Sequence, residues 1–299
     1  MSNQKAIVLA KARQYSLLNP KISKSHISKL TGISKSSLYY KSLKVEKDTV
    51  ARDLIIQTLN QDPFLGSKRM SDHLRVFHQI TLNHKKILRI KQLFGIQVRY
   101  RRSNPYRRDR GLADVQTLGI SNLVQDVIPT HPNHIWSSDF TYLLFKSTWY
   151  YVATLKDNYT KEIIGWHFNS HHNENLITQA LNKAILVYGK PNFLHSDQGS
   201  EYRAANYLNR CRNLGIEISM SKKGHPWENG TQESYYNYFK LELGNINRFN
   251  SVIDLEYNIE RQIWHYNNNR IHSVIRTSPS LYRSKFQESK NQINLLQFN

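Results

Sequence analysis

An α/β domain on a mixed five-stranded sheet, preceded by all-α helical units, is the fold class that the sequence predicts. Two observations predict it. From about residue 131 the chain runs strand, strand, strand, helix, strand, helix, strand, helix, an order that belongs to α/β architecture. Up to about residue 103 the apolar residues recur at helical spacing instead. A third observation separates the two regions by charge. Residues 1–111 hold 24 Lys/Arg against 6 Asp/Glu, a net of +18, whereas residues 112–299 hold 18 against 16. Nearly all of the chain's +20 therefore lies in its first third.

Such asymmetry points to a polyanion handled by one part of the chain. It argues against a small-molecule enzyme with a neutral surface. A chain of 299 residues suffices for two or three domains, and 39% hydrophobic residues suffice for packed cores. The single cysteine, Cys211, excludes a disulfide framework and a Cys-rich zinc finger, and fits a reducing compartment. No apolar run approaches the roughly 20 residues of a membrane-spanning helix, so no membrane partner is expected. The first residues, MSNQKAIVLAKARQ, hold only a short apolar patch between charges, which is not a secretory signal. The expected setting is the bacterial cytoplasm, in association with the nucleoid.

Residues 1–48 read as a helix-turn-helix unit. From Ile22 the chain is ISKSHISKLTGISKSSLYYK. A short helix ends near Leu30, Thr31-Gly32 turns, and a second helix starts from Ser34, a suitable N-cap. Gly32 tolerates the positive φ of such a turn. Ile27, Leu30, Ile33 and Leu38 form the expected packed face, and Lys35, Ser36, Ser37 and Tyr39 the expected DNA face. The alternative is an ordinary helical hairpin with a solvated basic face; the local charge favours the DNA reading.

Residues 49–103 read as a second helical DNA-binding unit. Val50 to Asn60 is helical, and Asp62-Pro63 breaks the pattern. Ser67 can cap a helix with Met70, Leu74 and Phe77 on one side. Asn83 can cap another with Ile87, Ile90 and Leu93 inward and Gly95 beyond its end. Residues 104–130 read as a basic linker. The run from Arg99 to Arg110 holds six arginines, Arg99, Arg101 and Arg102 among them. It is either a solvated linker or an arm that tracks phosphates.

Residues 131–290 carry the α/β pattern, and 291–299 a tail. His134 to Phe145 alternates, Trp149 to Leu155 is a buried-strand run, and Glu162 to Phe168 is a third strand after a turn at Asp157-Asn158. Asn173 to Tyr188 is a helix stopped by Gly189 and Pro191. Phe193 to Asp197 is a strand, a helix runs to Leu214, Ile216 to Met220 is the last strand, and a long helix begins near Trp227.

Three acids stand out by position: Asp139 in the first strand, Asp197 at the end of the fourth, and Glu233 on the long helix. Acids at strand ends lie where α/β proteins build sites. Three clustered carboxylates repel unless a cation sits among them. Hard oxygen ligands suit Mg²⁺, and two such ions roughly 3.5–4 Å apart can serve both oxygens of a displacement at phosphorus. The alternative is that each acid is a separate cap, turn or surface group. On the long helix Asn229, Glu233, Asn237 and Lys240 fall within an arc of about 80°, with Tyr235, Phe239 and Leu243 on the other side. That stripe either binds metal and phosphate or is simply exposed. Asp157 reads as structural. His195 and His272 either assist phosphate positioning or are packed and hydrogen-bonded.

With 35 residues between Asp197 and Glu233, the acids resemble the DDE triad of integrase-like transposases of bacterial insertion sequences. Further motifs carry the resemblance along nearly the whole chain. They are Trp136-x-x-Asp139-x-Thr141-Tyr142, Ile164-Gly165-Trp166, His195-Ser196-Asp197-x-Gly199-x-x-Tyr202, Ser221-x-Lys223-Gly224 and Asn229-x-x-x-Glu233-Ser234 with Lys240-x-Glu242. Tyr266-Asn-x-x-Arg270-x-His272, Ser278-Pro279-x-x-Tyr282 and the upstream Gly66-x-Lys68-Arg69 complete the set. Glu228 replaces a usual Asp, Gly230 a usual Ala, and Ser67 a usual aromatic; the triad positions are intact.

The resemblance implies an RNase H-like catalytic core similar to retroviral integrase. It implies Asp139, Asp197 and Glu233 as catalytic residues and metal ligands, with two Mg²⁺ ions per site that Mn²⁺ can replace. It implies cleavage at the ends of an insertion sequence and transfer of the freed 3′-OH into target DNA. Lys240, Lys222 and Lys223 would hold end DNA, with Asn229 and Arg270 also at the DNA. Lys35, Ser36, Lys68, Arg69, Arg99, Arg101 and Arg102 would contact it from the basic region. The implied partners are double-stranded DNA, both terminal inverted repeats and target, and a second copy of the chain or a larger assembly. Elements of this type often fuse a second reading frame to an upstream helix-turn-helix product, so the chain is either a second-frame product or self-sufficient. The rivals are an RNase H-like nuclease without strand transfer and a catalytically silent DNA-binding regulator.

Overall fold

A computed structural model describes residues 3–39, 44–99, 119–222 and 229–297. Arg101, Arg102, Lys223, Trp227, Glu228 and most of the expected basic linker lie outside the described residues. The chain divides into two compact units, Met1–Thr58 with Arg89–Ile96 and Leu59–Leu88 with Gln97–Asn299. No helix among the described residues is long and apolar enough to cross a membrane.

In the first unit α1 (Asn3–Leu18), α2 (Lys24–Thr31) and α3 (Lys35–Tyr39) pack together. Ser23 caps α2 by accepting the His26 N–H, and Gly32 ends it at φ 68°. Ser34 caps α3, its Oγ accepting from the Ser37 N–H at 3.2 Å. Ile27 and Leu38 meet Ala12 of α1 in a small core, with Ile33 packed against it. Leu30, expected in that face, is 70% exposed. An eight-residue helix wedged between two partners buries a narrow stripe, and Ile27 fills it. Lys35, Ser36 and Tyr39 are exposed, as a surface contact requires.

Next come α4 (Lys44–Gln61), α5 (Ser67–His78) and α6 (His84–Leu93). Met70, Leu74, Ile87 and Ile90 are fully buried. Phe77 and Leu93 were expected inward and are exposed, Leu93 by 62%. Each lies at the last turn of its helix, where the apolar stripe runs past its partners. The residue preceding α5 is Gly66 rather than Ser67, and no side chain caps that helix. Asn83 accepts the Lys85 N–H at 2.8 Å, capping α6.

The second unit holds β1 (Ile135–Phe145), β2 (Thr148–Asp157), β3 (Ile163–Asn169), α7 (Glu174–Tyr188), β4 (Phe193–Ser196), α8 (Ala205–Asn213), β5 (Glu217–Met220) and α9 (Gly230–Leu243). After α9 a 3₁₀ turn (Ile246–Arg248) leads to α10 (Val252–Asn268) and α11 (Pro279–Gln297). The five strands stand in the order β3-β2-β1-β4-β5. β1, β2 and β3 are antiparallel neighbours; β4 runs parallel to β1, and β5 parallel to β4. This is the mixed α/β core, RNase H-like in class, that the sequence predicts.

Alternation along the strands supplies two cores. Trp136, Ala153, Leu155, Ile164 and Leu194 face α7 and α8, against Ile177, Leu181, Tyr207 and Cys211. Leu143, Phe145, Val152, Ile163 and Phe168 face the opposite layer, against Tyr235, Phe239, Ile259 and Ile263 of α9 and α10. Gly165 lets α7 approach β3: a Cβ there would lie 2.5 Å from the Ala180 carbonyl oxygen and 2.7 Å from the Ala184 Cβ. That close approach explains the glycine of Ile164-Gly165-Trp166.

Candidate active site

β1 and β4 bring two of the three acids together. Their parallel register pairs Ser137 with His195. Asp139 lies two residues further along β1 and Asp197 just past the end of β4, near enough for the charge of Asp197 to act on the Asp139 carboxyl. The Asp139 carboxylate accepts the Phe140 N–H at 2.8 Å, and Asp197 accepts the Gly199 N–H at 2.9 Å. Burial, then the like charge of Asp197, pushes the Asp139 carboxyl up to about 7, against the pull of the Phe140 N–H. Asp197 opens to solvent, yet the protein around its carboxylate still raises its pKa; the Gly199 N–H opposes the rise and Glu201 adds to it. A Cβ at Gly199 would lie 3.1 Å from both the Asp197 and the Glu201 carboxylate oxygens, so a side chain there would push these carboxylates aside.

α9 carries the third acid, and main-chain hydrogen bonds fix that helix to β1. Asn229 donates to the Ser138 carbonyl at 3.4 Å, Gln232 to the Ser137 carbonyl, and the Tyr236 hydroxyl to the Asp139 carbonyl at 2.7 Å. The last of these sits on the residue whose side chain forms the site. Thr154 and the Tyr236 hydroxyl, 2.8 Å apart, extend the tie to β2. Glu233, half-buried in the first turn of α9, follows Gln232 on this side of the helix. The three acids do not converge into one cluster: among the described residues no group of three or more His, Cys, Asp or Glu stands ready around a metal ion. The structure thus pairs Asp139 with Asp197 and holds Glu233 on the helix tied to the same strand. Paired oxygen donors with raised pKa values suit a hard divalent cation, whose charge relieves their repulsion.

The other expected residues divide. Lys35, Ser36, Lys68, Arg99, Lys222 and Lys240 are exposed, and Arg69 is half-buried. Lys240 lies over the Tyr142 ring, 4.3 Å from its centroid, and partial burial lowers its pKa. Two expectations need correction. Asn229 is buried, its amide spent on the Ser138 carbonyl. Arg270 is 3% exposed and ion-paired with Glu242, so it is no outward-facing DNA contact. Both lie on or beside α9, whose packing against β1 and α10 takes the polar stripe partly inside.

Asp157 is structural, as expected. It is fully buried and accepts from the Asn133, Tyr159 and Thr160 N–H groups. Arg283 of α11 donates to it at 2.9 Å and also pairs with Glu162. His195 is buried with Nδ1 3.0 Å from the Ser219 hydroxyl, the packed alternative. Sequence reasoning missed Gln232, Tyr236, Glu201 and His172. His172 Nδ1 lies 2.8 Å from Glu201, and its ring is stacked on Phe140 beside Asp139. The signal for Glu201 was its place four residues after Asp197; Gln232 and Tyr236 gave none beyond helical spacing.

Family models and known proteins resemble this chain over most of its length. The integrase core domain family matches residues 129–226, and a second model of the same description matches 214–279. An uncharacterized transposase-like protein of Haemophilus influenzae is 33% identical over 208 residues, 69% of this chain and 95% of that protein. The transposase for insertion sequence element IS904 of Lactococcus lactis is 30% identical over 205 residues, 67% of this chain and 80% of that protein. A solved structure of the HTLV-2 integrase catalytic core domain in complex with magnesium aligns at TM-score 0.40 and 20% identity, covering 51% of this chain and 97% of that one. With relatives matched over most of their length and the integrase core spanning the sheet and α9, the chain belongs to the insertion-sequence transposases that carry an integrase core domain.

Proposed function

We propose that the protein cleaves DNA at the ends of an insertion sequence and joins the freed 3′-OH to target DNA, in a divalent-metal-dependent polynucleotidyl transfer. The observation that carries this is the pairing of Asp139 with Asp197, both raised in pKa, beside a helix tied by Gln232 and Tyr236 to the main chain of β1. When bound, two Mg²⁺ ions, or Mn²⁺, supply charge that offsets the carboxylates and polarises a phosphodiester for in-line displacement. Asp139 and Asp197 would hold them from the sheet and Glu233 from α9. Gln232 and Tyr236 keep the α9 acid in register, and Lys240 and Lys222 meet the phosphates of the end DNA. Water displaces the 3′-oxygen at the element's end; the 3′-OH so freed then displaces a target 3′-oxygen. One ester bond forms for each that breaks in the joining step, and no covalent enzyme intermediate is needed.

The division of labour follows the charge. Residues 1–103, with the helix-turn-helix unit and Lys35, Ser36, Lys68, Arg69, Arg99, Arg101 and Arg102, find and grip double-stranded DNA. Residues 131–290 perform the chemistry. Two element ends must be held at once, so the working form is a homodimer or a larger assembly on DNA, with an upstream-frame helix-turn-helix product as a further partner where the element encodes one.

The test uses the full chain with labelled DNA ending in the element's inverted repeats, Mg²⁺ or Mn²⁺, and the variants Asp139→Asn and Glu233→Gln. Joined products that vanish in both variants are expected, with rates falling by at least about 10³-fold. Nicking without joining would mean a nuclease, and binding without cleavage at every metal concentration would mean a silent regulator.

A further inference from the structure

Two sequence motifs outside the paired acids meet in one cavity. Gly66-Ser-Lys-Arg69 at the start of α5 and Tyr266 with Arg270-Ile-His272 at the end of α10 line a space of about 460 Å³, closed by Lys156, Ser234, Tyr235 and Tyr238. All belong to the second compact unit. α9 therefore turns two neighbouring residues to different places: Glu233 on the side tied to β1, and Ser234 to this cavity. The cavity reaches the surface at Lys68, Ser234 and Tyr238, which are exposed.

We propose that this cavity binds a phosphate oxyanion, at a site separate from the paired aspartates. Its lining holds Lys68, Arg69, Lys156, Arg270 and His272, with hydroxyls between them and no carboxylate. The Arg270 guanidinium is inside, 4.3 Å from the Tyr238 ring centroid, with the Arg69 guanidinium 5.9 Å from that ring. Lys156, 3% exposed, brings an ammonium group that donates to the Thr231 carbonyl at 3.1 Å and keeps further protons for a ligand. The Val274 N–H donates to His272 Nδ1, which leaves the imidazole proton on Nε2 as a further donor. α5 begins here with no side chain capping its first-turn N–H groups. Such a set matches the several acceptor oxygens of a phosphate, which takes bidentate arginine, ammonium and helix-terminal amides together.

Arg270 is ion-paired with Glu242, and burial with mutual repulsion makes the basic groups here harder to charge, which a bound anion would reverse. Burial, then Lys161 and Arg270, lowers the Lys156 pKa to about 7. Burial, then Arg69, lowers Arg270 to about 10, and Asp62 opposes this. Burial, then Lys156, Lys161, Arg270 and Arg69, lowers His272 to about 3. The carboxylates that face the group are Glu242, paired with Arg270, and the more distant Asp62. Buried like charges are costly to assemble unless an anion joins them, and the free volume is where that anion fits.

The phosphate cavity deepens the proposed function, whose DNA-gripping set already includes Lys68 and Arg69, and it is tested apart from the chemistry because it needs no metal. The full chain, in chelator and at fixed ionic strength, is titrated calorimetrically with inorganic phosphate, next to Lys156→Met and Arg69→Ala. Expected is binding of one phosphate per chain, weakened at least about tenfold in each variant, the loss of one charge-assisted hydrogen bond. Unfolding curves confirm that the variants fold, and Arg69→Ala, altering a half-buried rim residue, serves if Lys156→Met does not. Competition then names the source. Displacement by a duplex with 5′-hydroxyl ends assigns the site to the DNA backbone; displacement only by a deoxynucleoside 5′-monophosphate assigns it to free or terminal phosphate. Either supports a phosphate site. No saturable phosphate binding, or unchanged affinity in the variants, overturns it. Loss of joining in Asp139→Asn with phosphate binding intact would separate the fate of the two proposals.

Discussion

Lys156 carries an ammonium group into the protein at a position where β2 borders Asp157. Its pKa falls on folding from 10.5 to about 7, first through burial. A lysine shifted downward on folding costs the fold most below about pH 7, where both states hold the proton and the native one must bury the charge, and the cost fades toward pH 10.5, where both are neutral. Between about 7 and 10.5 the unfolded chain binds more protons than the folded one, so stability rises with pH across that window only relative to a residue that cannot titrate. Lys156→Met removes this linkage. In phosphate-free buffer it is expected to raise Tm by at least about 3 °C at pH 6, where the native state must bury the charge, with a smaller gain at pH 9. Equal gains at both values, read by differential scanning calorimetry, would contradict a buried charge. Arg283 behaves oppositely. Its guanidinium satisfies the buried Asp157 and Glu162, so Arg283→Ala strands two carboxylates and is expected to cost about 3–5 kcal/mol in urea unfolding. Asp139, Asp197 and Glu233 stood out in the sequence as candidates because each carboxylate interrupts an apolar pattern, and the structure sets them inside β1, just past β4 and in the first turn of α9. The burial of Arg270 and Asn229 was not, because their partners, Glu242 and the Ser138 carbonyl, are distant in sequence or supplied by main chain that has no sequence signature.

Among the elements, α7 and β3 give the sharpest steric test. Gly165→Ala puts a methyl group against the Ala180 carbonyl and the Ala184 methyl, and backbone cannot yield as a side-chain tip can. The expected loss is about 1–3 kcal/mol at unchanged slope in urea, with α7 amides losing hydrogen-exchange protection first. Strand and helix order in the sheet domain was readable from periodicity, since both faces of the sheet are covered and the strands stand out as apolar runs. The helical region was read less well at its ends. Leu30, Phe77 and Leu93 kept the helical period yet lie outside, since periodicity marks a face without saying how far along the helix a partner extends. The ties of Asn229, Gln232 and Tyr236 to β1 were invisible for a related reason: the spacing shows that residues share a side, and only the fold shows that main-chain carbonyls lie opposite.

For the whole molecule, charge is divided along the chain, and the proposed division of labour gives it a salt signature. Each phosphate contact adds about −0.9 to the slope of log K against log salt. Replacing Lys35, Lys85 and Arg99 together by glutamine should make the slope of DNA binding shallower by about 2–3. The same change at the exposed Lys183, Lys285 and Lys290 should move it by less than about 1. A larger effect from the second set, in anisotropy titrations across salt, would relocate the grip to the sheet domain. The attachment of α9 bears on how such a chain can change over generations. Its three ties to β1, its apolar side and its cavity side are all fixed by angle around one axis. One codon inserted between Gly230 and Gln232 would turn the ties and Glu233 by about 100° relative to Asn229. Point substitutions on the exposed side can accumulate freely, whereas a gain or loss of length here would remove several functions at a stroke. Copies of the gene that have drifted should therefore differ in length in the linker long before they differ in length in α9.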